Sequence, residues 1–99
     1  MGKAKEFLEL IEASILVSSI ISTQLVAPNK VQSITQKLKK GIPIPPIEVE
    51  RLPNGKYKVV DGNHRYSAYV YAGKKYINAN IHGAGYGKRW RQRVFGGVL

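Results

Sequence analysis

Cysteine is absent from the chain. That removes disulfides, thiolate catalysis and Cys-ligated zinc together, and it agrees with a reducing, cytoplasmic setting. Acidic residues are scarce: 6 Asp plus Glu stand against 16 Lys plus Arg, for a formal net charge of +10. Such an excess favours a polyanionic partner, whether nucleic acid, nucleotide or anionic membrane surface. Long apolar runs are also missing. The longest uncharged stretch, residues 13–29, contains Ser14, Ser18, Ser19, Ser22 and Thr23. Its apolar part is shorter than the roughly 20 residues a bilayer requires, so no membrane span is expected. Lys3 and Lys5 are followed by Glu6, Glu9 and Glu12, which does not read as a signal peptide. No internal repeat or low-complexity block is present.

What is there is a chain of 99 residues, 43% hydrophobic, enough for one compact core and too short for two. Phe7, Leu10, Ile11 and Ser14 fall at helical spacing with glutamates between them, so residues 3–13 are expected to form a short amphipathic helix. Residues 14–21 are rich in Ile, Val and Ser, which suits one strand, and residues 23–27 then form a loop. Pro28 opens a second helix with Val31, Ile34 and Leu38 on its buried face. Lys37, Lys39 and Lys40 crowd its end, and Gly41 stops it. The Ile42-Pro43-Ile44-Pro45-Pro46 segment must be extended.

Residues 47–52 and 56–60 read as two strands joined by the Pro53-Asn54-Gly55 hairpin turn. Asp61-Gly62-Asn63 is a turn, residues 65–72 a helix with Gly73 past its end, and residues 76–81 an alternating last strand. The order predicts an α/β or α+β domain over residues 1–81, with a small mixed sheet and flanking helices. Residues 82–99 form a basic Gly- and Arg-rich tail.

The most informative stretch runs from Val59 to Tyr69. A strand ends, a glycine turn follows and a helix begins. The first backbone N–H groups of a helix are unpaired and, with the helix dipole, form an anion site. His64 and Arg65 sit in that first turn, where cations oppose the dipole unless an anion is bound; a guanidinium fork fits phosphate oxygens. Alternatively, Asp61 caps the helix and His64 and Arg65 are simply exposed. A second helix start carries Lys30 and Ser33, neighbours on one polar face.

Lys30-Val31-Gln32-Ser33, Pro45-Pro46-Ile47-Glu48-Val49, Gly62-Asn63-His64-Arg65-Tyr66-Ser67-Ala68-Tyr69 and the strand at residues 77–81 together resemble the ParB/sulfiredoxin superfamily. The resemblance covers residues 15–81. It implies a ParB/sulfiredoxin-like fold in which Lys30, Ser33, Gly62, Asn63, His64 and Arg65 contact the phosphates of a nucleotide or of DNA. ATP or CTP, with magnesium carried on the phosphates, is the implied ligand. The departures are informative. Asn63 stands where sulfiredoxin has its cysteine, so sulfinic acid reduction is excluded. The loop in which free-serine kinases carry a glutamate has no carboxylate here. Asn63-His64-Arg65 replaces the Glu-Arg-Arg of chromosome-partitioning ParB proteins. The resemblance therefore implies a nucleic-acid-associated phosphate-binding domain. The alternative is a ParB-like nuclease or ATP-dependent phosphotransferase in which Asp61 and His64 are catalytic.

The remaining features are weaker. Tyr66, Tyr69 and Tyr76 are expected between helix and sheet. In the tail, Lys88, Arg89, Trp90, Arg91 and Arg93 form a candidate nucleic-acid-binding arm, with Tyr86 a further stacking residue. Equally, Trp90, Val94 and Phe95 have the spacing of a short helix that covers the sheet. Asp61, His64 and His82 are the only plausible metal ligands, and they lack helical His-x-x-x-His spacing, so no protein-held metal is expected. Glu48 and Glu50 share one face of a strand and point to a sheet surface.

Overall fold

Alternation organises the sheet. Ile47 and Val49 alternate with Glu48 and Glu50, and Ile77, Ala79 and Ile81 alternate with Asn78 and Asn80. Successive strand side chains point to opposite faces, so all five apolar residues turn to one side. Ile47, Val49 and Ala79 are fully buried there, packed with Ile15, Ile20 and Val59. The computed structural model describes residues 11–84. In chain order these form β1 (Ile11–Leu16), one 3-10 turn (Val17–Ser19), β2 (Ile20–Ile21), α1 (Pro28–Lys39), β3 (Ile47–Arg51), β4 (Tyr57–Asp61), α2 (Asn63–Tyr71) and β5 (Tyr76–His82).

The strand order is β1-β5-β3-β4-β2. The β1/β5 and β3/β4 pairs are antiparallel, whereas β3/β5 and β2/β4 are parallel. The fold is thus mixed α+β, as expected. β1 and β2 lie on opposite edges of the sheet, yet only Val17–Ser19 separates them. A flat five-stranded sheet would hold its edges about 19 Å apart, since neighbouring strands lie about 4.7–4.9 Å apart. Three residues of 3-10 helix rise only about 6 Å. The sheet must therefore curl until its edges approach, and the apolar cluster fills the inside of the curl.

Both helices are delimited as their local chemistry dictates. Pro28 occupies the first turn of α1, and Lys37 and Lys39 occupy the last. Gly41 has φ +75°, its N–H donates to Leu38 O at 3.1 Å, and the Ile42 N–H donates to Lys37 O at 3.0 Å. This is a Schellman closure. α2 ends the same way: Gly73 donates to Val70 O and Lys74 to Tyr69 O, each at 3.0 Å. The Pro53-Asn54-Gly55 turn connects β3 to β4, closed by Leu52 N–H to Lys56 O at 2.8 Å.

The N-terminal part differs from the sequence reading. Ile11, Glu12 and Ala13 belong to β1, not to a helix, and residues 3–10 lie outside the described residues. Ile11, Ala13 and Ile15 pair with Ile81, Ala79 and Ile77 in register, so a period of two prevails over the helical spacing. The expected single strand over residues 14–21 is broken at the 3-10 turn because the chain changes edges there. Tyr66 and Tyr69 pack against the core as expected, but Tyr76 is 52% exposed, on the opposite sheet face. Among the described residues no helix is long and apolar enough to cross a membrane.

Candidate phosphate-binding site

β4 ends at Asp61, and Gly62 turns the chain into α2 with φ +105°, in the left-handed region. The turn also requires close approach: a Cβ on Gly62 would lie 2.7 Å from Cγ2 of the fully buried Ile47 and 2.9 Å from Nη2 of Arg65. Glycine is therefore demanded twice, by backbone angle and by space. The first helical bond of α2 runs from Tyr66 N–H to Gly62 O at 2.9 Å. The amides of Asn63, His64 and Arg65 consequently have no acceptor within the helix. No side chain caps α2, and no acid lies in its first turn. Asp61, the alternative cap, thus leaves this end uncapped.

The start of α1 is uncapped as well, although Pro28 has no N–H and the Lys30 N–H donates to Ala27 O at 3.1 Å. Ala27 is its N-cap residue, without a side-chain cap or a first-turn acid. The two starts are joined directly, because the Ala27 N–H donates to His64 Nε2 at 3.0 Å. For that nitrogen to accept, the neutral imidazole carries its proton on Nδ1. At the other end of the same loop, the Ser22 hydroxyl donates to Asn63 Oδ1. Residues 22–27 are therefore tied at both ends to the first turn of α2, and two uncapped, electropositive helix ends lie side by side. Lys30 and Ser33 are exposed on the first two turns of α1.

Arg65 has a different local role. Its Nη1 donates to Pro46 O at 3.1 Å and its Nη2 to Asp61 Oδ2 at 3.4 Å. The guanidinium thereby anchors the extended proline segment beside the glycine turn, and a ligand would have to draw it away from these partners. Asp61 is 59% exposed, so its pairing with Arg65 contributes at most about 1 kcal/mol. Asp61 and His64, the paired catalytic candidates, thus engage different partners. Among the described residues no group of three or more His, Asp and Glu is placed to hold a metal ion.

Tyr69 lies next to this network. Burial pushes its phenol above the ordinary tyrosine value, and the Arg65 charge offsets part of that rise. A phenol held neutral by folding contributes stability fully below about pH 10, and that contribution is lost as pH rises through the folded value. Tyr69→Phe should therefore flatten the fall in stability above pH 10, measured by urea unfolding at several alkaline pH values. A slope identical to that of the parent protein would refute this assignment.

The sequence reading missed two participants, Ser22 and the Ala27 amide, and also a separate polar cluster on β3 and β5. In that cluster Glu48 Oε2 accepts from Asn80 Nδ2 at 2.7 Å, and Glu48 Oε1 lies 2.8 Å from His82 Nε2. The register pairing of Glu48 with Asn80 was the missing signal, and it exists only once β3 and β5 are aligned.

A curled mixed sheet whose glycine turn opens a helix against a second helix start defines the ParB/sulfiredoxin class of fold. Residues 3–91 match the model of the ParB N-terminal domain, and the chain belongs to that family. Solved structures agree on the fold. Chromosome-partitioning protein ParB from Caulobacter crescentus, C-terminally truncated and complexed with CTP-γ-S, superposes with a TM-score of 0.65 at 16% identity, over 73% of this chain and 44% of that one. The same protein complexed to the centromeric parS site gives 0.63 at 17% identity, over 72% and 40%. Sulfiredoxin from Arabidopsis thaliana gives 0.65 at 23% identity, over 75% and 86%. The chain thus matches less than half the length of the ParB chains. No curated protein matches it.

Proposed function

We propose that this domain binds a phosphate-bearing ligand, a nucleotide or a nucleic-acid backbone, at the junction of the α1 and α2 N-termini. One observation carries the reading: two uncapped helix starts, without first-turn acids, are held together by the Ala27–His64 hydrogen bond. Free amides and aligned dipoles are what an anion requires. The family supports it, since the Caulobacter ParB neighbours are complexed with a CTP analogue and with parS DNA. Gly62, Asn63 and His64 supply the turn and its amides, Lys30 and Ser33 approach from α1, and Arg65 adds charge. ATP or CTP, with magnesium on its phosphates, fits this chemistry. The basic segment Lys88, Arg89, Trp90, Arg91 and Arg93, which lies outside the described residues, adds an electrostatic arm for nucleic acid.

The test is a titration of ATP, CTP and short duplex DNA into isotope-labelled protein. Shifts should concentrate at the amides of Asn63, His64, Arg65 and Lys30. Arg65→Ala should weaken binding by about 1–3 kcal/mol, as for loss of a charge-assisted contact. Lys30→Ala, at an exposed position, should weaken it without changing the melting temperature. Parent-like binding of all three ligands by both variants would remove the proposal.

A further inference from the structure

A recess of about 390 Å³ opens at the opposite end of the two helices from the phosphate site. Leu38, Ile42, Ile44, Tyr69 and Tyr76 line it, with Lys74 at its edge. Leu38, in the last turn of α1, is ten residues from Pro28 and so roughly 15 Å along the axis from the helix start at the phosphate site. The apolar lining is partly open to solvent, with Ile42 45% and Tyr76 52% exposed. Leu16, 40% exposed, lies directly opposite Tyr76 in the β1/β5 register and extends the apolar surface beyond the recess. Contiguous exposed apolar side chains of this kind mark interaction sites.

Charge narrows the partner. Lys74 lines the recess, Lys37, Lys39 and Lys40 neighbour Leu38 in sequence at the end of α1, Lys75 follows Lys74, and all five are exposed. Lys75 Nζ stands 5.9 Å from the centre of the Tyr76 ring. No acidic residue lines the recess. A partner is therefore favoured if it inserts aliphatic or aromatic side chains and carries carboxylates around them. A nucleic acid strand fits less well: Leu38, Ile42 and Ile44 offer nothing to phosphates, and Lys75 already occupies one side of the Tyr76 ring.

We infer that this recess is a docking site for an acidic, apolar-anchored peptide segment of a partner protein. It is independent of the phosphate-binding proposal and lies at the other end of the same helices.

The full chain, isotope-labelled, is titrated with two short peptides that share leucine and phenylalanine anchors and differ only in having glutamate or lysine between them. The acidic peptide should move the amides of Ile42, Ile44, Lys74 and Tyr76 and leave those of Asn63 and His64 in place. The lysine peptide should not bind. Tyr76→Ser, or Ile42→Ser if the first variant folds poorly, should weaken the acidic peptide about tenfold, equivalent to about 1.4 kcal/mol for one apolar anchor. Lys30→Ala should bind it as the parent does, which separates this site from the phosphate site. Shifts spread over the whole basic surface, or parent-like binding of the acidic peptide by both serine variants, would overturn the inference. A single-stranded oligonucleotide that displaces the peptide would overturn it in favour of nucleic acid. Self-association that Tyr76→Ser abolishes would overturn it in favour of a second copy of the chain.

Discussion

Replacing Gly62 by alanine should destabilise the domain by about 2–5 kcal/mol. Two independent effects add. A left-handed backbone costs an L-residue about 1–2 kcal/mol. The added methyl must also enter space held by Ile47, at 2.7 Å from Cγ2, and overpacking of a buried site costs about 1–3 kcal/mol. Ile47 has no solvent exposure and cannot yield without moving the β3 backbone. In a domain of this size each kcal/mol lowers the melting temperature by about 4–8 °C. A fall of at least about 8 °C is expected. Gly73→Ala provides the internal comparison, because Gly73 also has positive φ, +69°, but a Cβ there meets nothing within 4 Å. Only the backbone part of the penalty applies to it. Thermal and urea unfolding of the two variants together separate strain from overlap. If both cost the same, the close packing of Gly62 on Ile47 does not constrain the turn.

Truncation at Gly87 should make the salt dependence of DNA binding much shallower. The removed segment carries Lys88, Arg89, Arg91 and Arg93 and no acid. Each phosphate neutralised on duplex DNA contributes roughly −0.9 to the log–log slope of affinity against salt, through counterion release. If all four side chains touch phosphate, the slope changes by about 3 to 4 units. Preference among DNA sequences should hardly change, because phosphate contacts position a protein without reading bases. The competing reading has Trp90, Val94 and Phe95 packed over the sheet. Truncation would then lower the melting temperature and leave the salt slope of the remaining binding unaltered. Melting and salt-dependent binding on the same truncated protein decide between the two.

Elements with a complete local signal were legible in the sequence. Pro28 at the start and Gly41 after the end delimit α1, Gly73 ends α2, Pro53-Asn54-Gly55 closes the hairpin, and alternation marks β3 and β5. The glycine turn before α2 was legible for the same reason: its left-handed angle is a local demand that glycine meets. Its closeness to Ile47 was not, because that neighbour is distant in sequence and arrives only when β3 pairs with β4. At the N-terminus the local pattern was ambiguous. Ile11 fits both a helical face with Phe7, Leu10 and Ser14 and an alternating strand with Ala13 and Ile15, and pairing with β5 selected the strand.

The sequence by itself determined the basic charge, the absence of thiol chemistry and the position of the glycine turn, because each depends on residue type or short-range spacing, and its separated motifs carried the resemblance to the fold family. Tertiary structure alone decided what the site residues touch. Ser22 meets Asn63 across 41 residues, and Ala27 meets His64 across 37. Arg65 turns to Pro46 because α2 packs beside the extended segment. Tyr76 faces solvent because β5 lies between β1 and β3 with its alternate face inward. These are contacts between segments whose separation along the chain carries no periodicity, so they come into being only when the sheet curls and brings both helix starts to one end of the domain.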